Sequence, residues 1–168
     1  GDLDKINSDL YHINDIQPVD FDSRYWKKGD LFFSLREQSK IYLYRPSTNK
    51  IIHVIDGPFY YQHDVDVIDE SRISIFNNNL NKSYKGRRVD HSNQVIIYNF
   101  ELNKFTIYNE EGLLNNKVKT ITAGQSEIMP DGDLFVEESN YGRILYFDSN
   151  DSLRWVYMNK SEVGEAYK

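Results

Sequence analysis

The chain has no cysteine, only 4 prolines and 9 glycines in 168 residues, and no apolar run as long as a membrane helix. Without cysteine there is no disulfide framework, no thiolate metal site and no cysteine nucleophile. A membrane helix needs about 18 or more consecutive apolar residues, and the first residues do not resemble a signal peptide. We therefore expect no membrane span, while the compartment stays undecided on composition alone.

An excess of basic residues is also absent, since 20 Lys and Arg stand against 26 Asp and Glu, for a net charge of -6. Binding to a nucleic-acid backbone depends largely on clustered Lys and Arg, so we expect no nucleic-acid partner. Apolar residues make up 39% of the chain and tyrosines number 13. This composition predicts one soluble, strand-rich domain over residues 1–168.

Apolar residues alternate with polar ones in short segments separated by turn residues, which is typical of β-strands. The segments fall into three sets of four antiparallel strands, with set boundaries at about 10–57, 58–110 and 120–160. Long connections are predicted at 21–28 and 80–92, and a crossover with room for a helical turn at 112–119. The predicted strands lie near 12–19, 30–36, 40–45, 50–56, 63–68, 72–76, 94–100, 104–109, 124–129, 133–138, 143–148 and 153–158.

The first and third sets resemble each other, because GDLFFSLREQSKIYLYRPSTNKIIHVI at 29–55 aligns with GDLFVEESNYGRILYFDSNDSLRWVYM at 132–158. Recurring four-stranded units of this length predict an all-β fold, a β-propeller in which each unit is one blade. A β-sandwich with similar hairpins is the alternative. Three blades cannot close a ring, so the chain is predicted to form part of a larger propeller. Missing chain or a second subunit would supply the remaining blades.

The sequence contains four histidines, and two of them occupy equivalent places. His12 and His63 each begin the innermost strand of a blade, where polar groups from successive blades converge on the central channel. We therefore interpret both as candidate site residues. His53, on an outer strand, is interpreted as a partly buried structural residue, and His91 as a solvated loop residue.

Arg36 ends the second strand of the first blade and offers paired donors that suit sulfate, phosphate or carboxylate. The alternative is a surface arginine paired with Glu37. Residues 77–79, all asparagine, occupy the corresponding place in the second blade. They are either turn formers or amide donors to an anion.

Four motifs in this order resemble the arylsulfotransferase-type β-propeller family: HIND at 12–15, GDLFFSLR at 29–36, GP followed by QHD at 57–64, and FNN at 76–78. The resemblance covers about residues 10–158. It implies a propeller of six blades that transfers a sulfuryl group from a phenolic sulfate ester to another phenol, without a nucleotide sulfate donor. No cofactor and no metal are expected, the ligand is a small phenol or sulfate ester, and export or a periplasmic location is implied.

The resemblance also implies roles for particular residues. The family uses a channel histidine as transient sulfuryl acceptor, while other histidines, an arginine and an asparagine hold the sulfuryl oxygens; an arginine in the 80–92 loop, Arg87 or Arg88, adds a cation. By matching motif, the catalytic group is His63, His12 and Arg36, and the substrate-binding group is Asn14, Asn78 and Arg88.

One motif departs from the family. Its nucleophilic histidine falls in the stretch that matches residues 136–140, where this chain has Glu137, Glu138 and Ser139. Either the nucleophile lies in missing chain, or His63 or His12 has taken over the role, or the chain is a non-catalytic binding or assembly module. A quinone-dependent or sugar-lactone propeller enzyme fits the fold, but the metal-ligand and docking signatures of those enzymes are absent from the sequence.

Overall fold

The computed structural model describes residues 11–83 and 86–159, which fold into three four-stranded antiparallel sheets, a two-stranded hairpin and one short helix. Each four-stranded sheet is one blade. Blade one contains β1 (Ile13–Pro18), β2 (Leu31–Leu35), β3 (Lys40–Arg45) and β4 (Lys50–Asp56). Blade two contains β5 (Asp64–Val67), β6 (Arg72–Asn77), β9 (Gln94–Asn99) and β10 (Lys104–Tyr108), and the hairpin β7 (Leu80–Ser83) and β8 (Gly86–Val89) extends from it. Helix α1 (Glu110–Asn115) leads to blade three, which contains β11 (Gln125–Ile128), β12 (Leu134–Glu138), β13 (Arg143–Phe147) and β14 (Leu153–Met158).

All the predicted strands and their grouping in three sheets are confirmed, with bounds that differ by at most one residue at either end. The long connection at 80–92 contains the β7–β8 hairpin, which the sequence analysis did not predict. The helical turn in the crossover begins at Glu110, before the predicted range of 112–119. Within the described residues, no helix is long and apolar enough to cross a membrane.

The repeated Gly-Asp-Leu-Phe motif has the same structural cause in blades one and three. The glycine before each aspartate has a positive φ, 89° and 88°, which glycine adopts without strain. Asp30 is buried and accepts two hydrogen bonds from Arg45, at 2.8 and 2.7 Å. Asp133 is likewise buried and pairs with Arg154 at 3.0 Å. The motif therefore turns the chain into the second strand and ties that strand to an arginine farther along the blade.

Two apolar clusters hold the blades face to face, because alternate side chains of a strand point to opposite faces of its sheet. The cluster between blades one and two includes Phe32, Ile41 and Leu43 from blade one, all with no exposed surface. The cluster between blades two and three joins Phe76 and Val95 of blade two to blade three. The blade-three members of that cluster are Leu134, Val136, Leu145 and Phe147.

The first strands of the three blades, β1, β5 and β11, contact one another in that order, and we call them the inner edge. Carboxylates bridge them, since Asp15 accepts a hydrogen bond from the backbone N–H of Val65 at 3.1 Å. Asp64 accepts one from the backbone N–H of Ser126 at 2.9 Å. Each bond joins one blade to the next, so the inner edge is built by side chain to backbone contacts between neighbouring blades.

Two blade faces lack a neighbouring blade among the described residues. On blade one, Phe33, Tyr42 and Tyr44 line an apolar groove of about 750 Å³. On blade three, Trp155 stacks on Tyr146 with ring centroids 5.4 Å apart, and 46% of Trp155 is exposed. Both faces carry aromatic side chains of the kind that the internal blade junctions bury.

Candidate functional site

Three of the predicted site residues lie together at one end of the inner edge. His12 directly precedes β1, His63 directly precedes β5, and Arg36 directly follows β2. The backbone N–H of Arg36 donates to the carbonyl of His12 at 2.9 Å, so the strand pairing of blade one places these two side by side. Because β1 and β5 are neighbours, His63 comes close enough for the charges of Arg36 and His12 to act on its imidazole.

The pKa of His63 lies below its ordinary value. Burial lowers this pKa most, because the cation loses its hydration, and the positive charges of Arg36 and His12 lower it further. His63 is therefore a neutral imidazole near neutral pH. A neutral imidazole has a nitrogen lone pair available to attack an electrophile or to accept a proton.

Arg36 is buried, with 8% of its surface exposed, although it carries a full positive charge. Its Nη1 donates to Glu37 at 3.2 Å, which is the ion pair that the alternative interpretation predicted, but the surface position in that interpretation is wrong. The guanidinium also lies 5.6 Å from the centre of the Tyr61 ring, within the range of a cation–π interaction. Two different contacts therefore fix the orientation of a buried cation at the end of the inner edge.

Asn14 lies at an irregularity in the β1–β2 pairing, between Ile13 and Asp15. Its Nδ2 donates to the backbone carbonyl of Gln62 at 2.9 Å, next to His63 in the chain. Its Oδ1 is buried and has no hydrogen-bond partner among the described residues. Asn14 thus lies between the two histidine-bearing segments, and ligand binding by it stays a prediction.

Asn78 is fully buried where blade two meets the segment that leads to blade three. Its Nδ2 donates to the carbonyls of Thr120 and Ala123, both at 2.9 Å, so both amide protons are used within the protein. The neighbouring Asn77 accepts hydrogen bonds from the backbone N–H groups of Tyr60 and Asn79. The bond from Asn79 to Asn77 and the positive φ of Asn79, 53°, confirm the turn-forming interpretation for these two residues. Asn78 instead binds a segment far along the chain, and its contact with a ligand stays a prediction.

Arg88 is exposed on the β7–β8 hairpin, opposite Asn81. It lines a cleft of about 430 Å³ together with Asp90, His91 and Lys119. The side chain of Arg87, the alternative to Arg88, lies outside the described residues. Arg88 is therefore placed on a flanking hairpin, and its substrate-binding role stays a prediction.

The other two histidines are far from this chemistry. His53, on the outermost strand of blade one, packs against Tyr98 and Phe100 of blade two with ring centroids 6.4 and 5.4 Å away. It is exposed and not partly buried as predicted, because no further strand covers β4. The side chain of His91 is 84% exposed, which confirms the solvated position.

A group of carboxylates on the inner edge was not predicted. Asp15, Asp64, Asp66 and Glu127 come from all three inner strands. Burial and, to a lesser extent, the negative charges of the neighbouring carboxylates raise the pKa of Asp64 to about 8 and that of Asp66 to about 7. Among the described residues, no cluster of His, Asp or Glu has the arrangement of a metal site.

The sequence signal for this group was the alternation in His63-Asp64-Val65-Asp66, which puts Asp64 and Asp66 on one face of a strand. The other two carboxylates come from blades one and three. Asp15 and Glu127 come near Asp64 and Asp66 only because the inner strands of the three blades pack against one another.

Three sheets of four antiparallel strands, packed face to face with their first strands in contact, define a protein of the β-propeller class. The sequence profile of the arylsulfotransferase (ASST) family matches residues 1–160, and the chain belongs to this family. No curated protein matches the chain.

Proposed function

We propose that this chain transfers a sulfuryl group from a phenolic sulfate ester to another phenol, with His63 as the transient acceptor. The observation that carries the proposal is a partly buried imidazole with a lowered pKa beside the buried cation Arg36. The neutral form supplies the nucleophilic lone pair, and the guanidinium supplies donors for sulfuryl oxygens.

The proposed reaction has two displacements at sulfur. A ring nitrogen of His63 forms a bond to sulfur while the bond from sulfur to the phenolic oxygen breaks, and the phenol leaves as phenolate, which takes a proton from solvent. The acceptor phenol then loses its proton to solvent and its oxygen attacks the same sulfur, while the bond between sulfur and the ring nitrogen breaks and frees the imidazole. Arg36 and His12 hold the sulfuryl oxygens in both steps, where added negative charge is stabilised by fixed donors. Asn14, Asn78 and Arg88 are proposed to contact the rest of the substrate.

The proposal assigns the acceptor role to His63 because the family's nucleophile position has no histidine in this chain. In the matching stretch, Glu138 is buried and its carboxylate binds the side chain of Arg143 and the backbone N–H of Lys119. These contacts give Glu138 a structural role. His63 combines a partly buried imidazole, a neighbouring cation and a lowered pKa.

The test is an assay with 4-nitrophenyl sulfate as donor and phenol as acceptor. We expect release of 4-nitrophenol by the unmodified chain and a loss of about 100-fold or more in His63→Ala and Arg36→Met, the size typical for removal of a nucleophile or a charge-stabilising donor. His53→Ala is the matched control, since it removes an exposed imidazole on the outermost strand of blade one. Full activity in folded His63→Ala would refute the assignment of the acceptor.

A non-catalytic binding module is the second candidate, favoured by the glutamates at positions 137 and 138 where the family has its nucleophile. This function predicts no turnover by the folded chain, but binding of 4-nitrophenyl sulfate in calorimetry that weakens in Arg36→Met. Turnover that depends on His63 excludes it.

We also propose that further four-stranded blades cover the open faces of blades one and three, and that the protein is exported. Phe135 of blade three aligns with Phe32 of blade one, and Phe32 is fully buried against blade two. Likewise Tyr42 on the open face of blade one aligns with Leu145, which is fully buried. Light scattering of the purified chain tests the source of the blades: a dimer indicates a second copy, and a monomer that binds an apolar dye indicates a longer polypeptide. A monomer that binds no dye contradicts the proposal of further blades. Export is tested separately, by fractionation of the cells that make the protein.

A further inference from the structure

Gln62, which directly precedes His63, is fully buried and joins blade two to blade one. Its Nε2 faces three acceptors of blade one: the carbonyl of Lys40 at 3.0 Å, the carbonyl of Leu35 at 3.2 Å and the hydroxyl of Ser34 at 3.3 Å. The short 3-10 turn Arg36–Gln38 is followed by Ser39, and this segment lies between Leu35 and Lys40. One amide group therefore holds both ends of the turn that carries Arg36.

The residues on either side of Gln62 make further contacts with the same turn. The backbone N–H of Tyr61 donates to the hydroxyl of Ser39 at 3.2 Å, and the Tyr61 ring lies against the guanidinium of Arg36. The carbonyl of Gln62 accepts the bond from Asn14 at 2.9 Å. Tyr61 has a positive φ of 58°, a conformation that costs energy for a residue with a side chain and that surrounding contacts must hold.

We propose that Gln62 is a positioning residue that fixes Arg36 of blade one relative to His63 of blade two. Without surface exposure it does not touch a substrate; it acts through the two residues that do. The contacts of Nε2 hold the arginine turn, and the backbone of Gln62 continues directly into His63. Loss of these contacts lets the two blade ends separate by a small distance, and small displacements of reacting groups reduce rates by up to about 100-fold. The effect on rate rests on the proposed function, whereas the role of Gln62 in fixing Arg36 relative to His63 rests on the contacts described above.

The variant Gln62→Met tests the proposal, because methionine keeps the approximate length and removes the donor. The Oε1 atom of Gln62 has no hydrogen-bond partner among the described residues, so the change mainly removes the contacts of Nε2. The measurement is the pKa of His63 by NMR titration in four proteins: the unmodified chain, Arg36→Met, Gln62→Met and the double variant. This readout reports the closeness of Arg36 to His63 and needs no turnover.

In the chain with Gln62 intact, we expect Arg36→Met to raise the pKa of His63, because the change removes a nearby positive charge. In the Gln62→Met background the same change is expected to raise this pKa by less than half as much. An equal rise in both backgrounds overturns the proposal. Thr120→Val is the matched control, because it removes a buried hydroxyl whose bond to Asn140 lies at the other blade junction, and the full rise should remain.

If Gln62→Met does not fold, Gln62→Asn takes its place in the same cycle, since the shorter amide cannot reach all three acceptors. With 4-nitrophenyl sulfate, Gln62→Met is expected to lower kcat about 10- to 100-fold, as misplacement of reacting groups does. A reduced pKa coupling in a chain that shows no turnover supports the positioning role and contradicts the sulfuryl transfer. If Arg36→Met raises the pKa of His63 equally in both backgrounds and the chain turns over 4-nitrophenyl sulfate, the result contradicts the positioning role and supports the sulfuryl transfer.

Discussion

The carboxylate of Asp64 in blade two accepts a hydrogen bond from the backbone N–H of Ser126 in blade three at 2.9 Å, in a buried position. Burial and the charge of Asp66 raise the pKa of this carboxyl and the bond from Ser126 lowers it, with a net rise to about 8. The bridge between the blades is therefore made by a carboxyl group that holds its proton near neutral pH.

The pH dependence of stability follows from this pKa. An unfolded chain releases the proton near pH 3.8 and the folded chain near pH 8, so the folded state binds the proton more tightly. The stability contribution is full below about pH 4 and is lost as the pH rises toward 8. In Asp64→Asn the group stays neutral, and we expect the variant to exceed the unmodified chain in free energy of unfolding at pH 8 by at least about 1.4 kcal/mol, the equivalent of one pKa unit. Urea denaturation across this pH range measures the difference.

The control for this experiment is Asp20→Asn, which changes an exposed carboxylate. Its stability curve should run parallel to that of the unmodified chain. Parallel curves for Asp64→Asn as well would show that Asp64 is not protonated in the folded state.

The buried ion pair of the Gly-Asp-Leu-Phe motif predicts a large loss of stability in Asp30→Ala. This change removes the buried carboxylate that accepts two hydrogen bonds from Arg45, whose side chain is 21% exposed. Asp133→Ala in blade three is the comparison. Its partner Arg154 has a side chain that is 54% exposed, so solvent replaces part of the lost interaction and the cost should be smaller. Equal losses in thermal or urea unfolding would contradict this explanation.

Asn78→Ala should destabilise the junction between blades two and three. The change removes both donors to the carbonyls of Thr120 and Ala123, and unsatisfied buried groups cost about 1–3 kcal/mol. Asn81→Ala, in the exposed hairpin, should change the free energy of unfolding by less than about 0.5 kcal/mol, as surface changes do. If Asn78→Ala is as stable as Asn81→Ala, its amide bonds do not hold the junction.

Gly124 is expected to tolerate no side chain. Its φ is 124°, and an added Cβ would lie 2.4 Å from Phe76 and 2.6 Å from Thr120. Gly29 also has a positive φ, of 89°, but an added Cβ there meets no atom within 4 Å. Gly29→Ala should cost about 1–2 kcal/mol from backbone strain alone. Gly124→Ala should cost more, because the clash adds to the strain, and denaturation midpoints that rank the two in the opposite order would contradict this interpretation.

The strands could be predicted from the sequence because the apolar residues of each blade alternate toward two buried faces. The β7–β8 hairpin escaped prediction because NKSYKGRRV at 81–89 is almost entirely polar, so no alternation distinguishes it from a loop. Helix α1 begins at Glu110, where two glutamates in the first turn favour a helix start. These glutamates lie before the predicted crossover at 112–119, which is why the helix starts earlier than expected.

The site was partly predictable for a related reason. His12 and His63 hold equivalent places in repeated blades, so the repeat itself indicated that they meet. The partners of Gln62 and of the inner carboxylates lie in other blades, and those contacts depend on how the inner strands are offset from each other. Alternation within one strand contains no information about that offset.

The charges of the inner edge change sign over a short distance. Arg36 and His63 lie where the inner strands begin, and Asp66 lies three residues farther along β5, about 10 Å away at the rise of a strand. An aryl sulfate has a charged group at one end and a ring at the other. The charge of Arg36 would attract the charged end of such an ester, whereas Asp66 and Asp64 would repel an anion only as they ionise, at pKa values of about 7 and 8. The two ends of this edge therefore present different electrostatic environments to any ligand that reaches it.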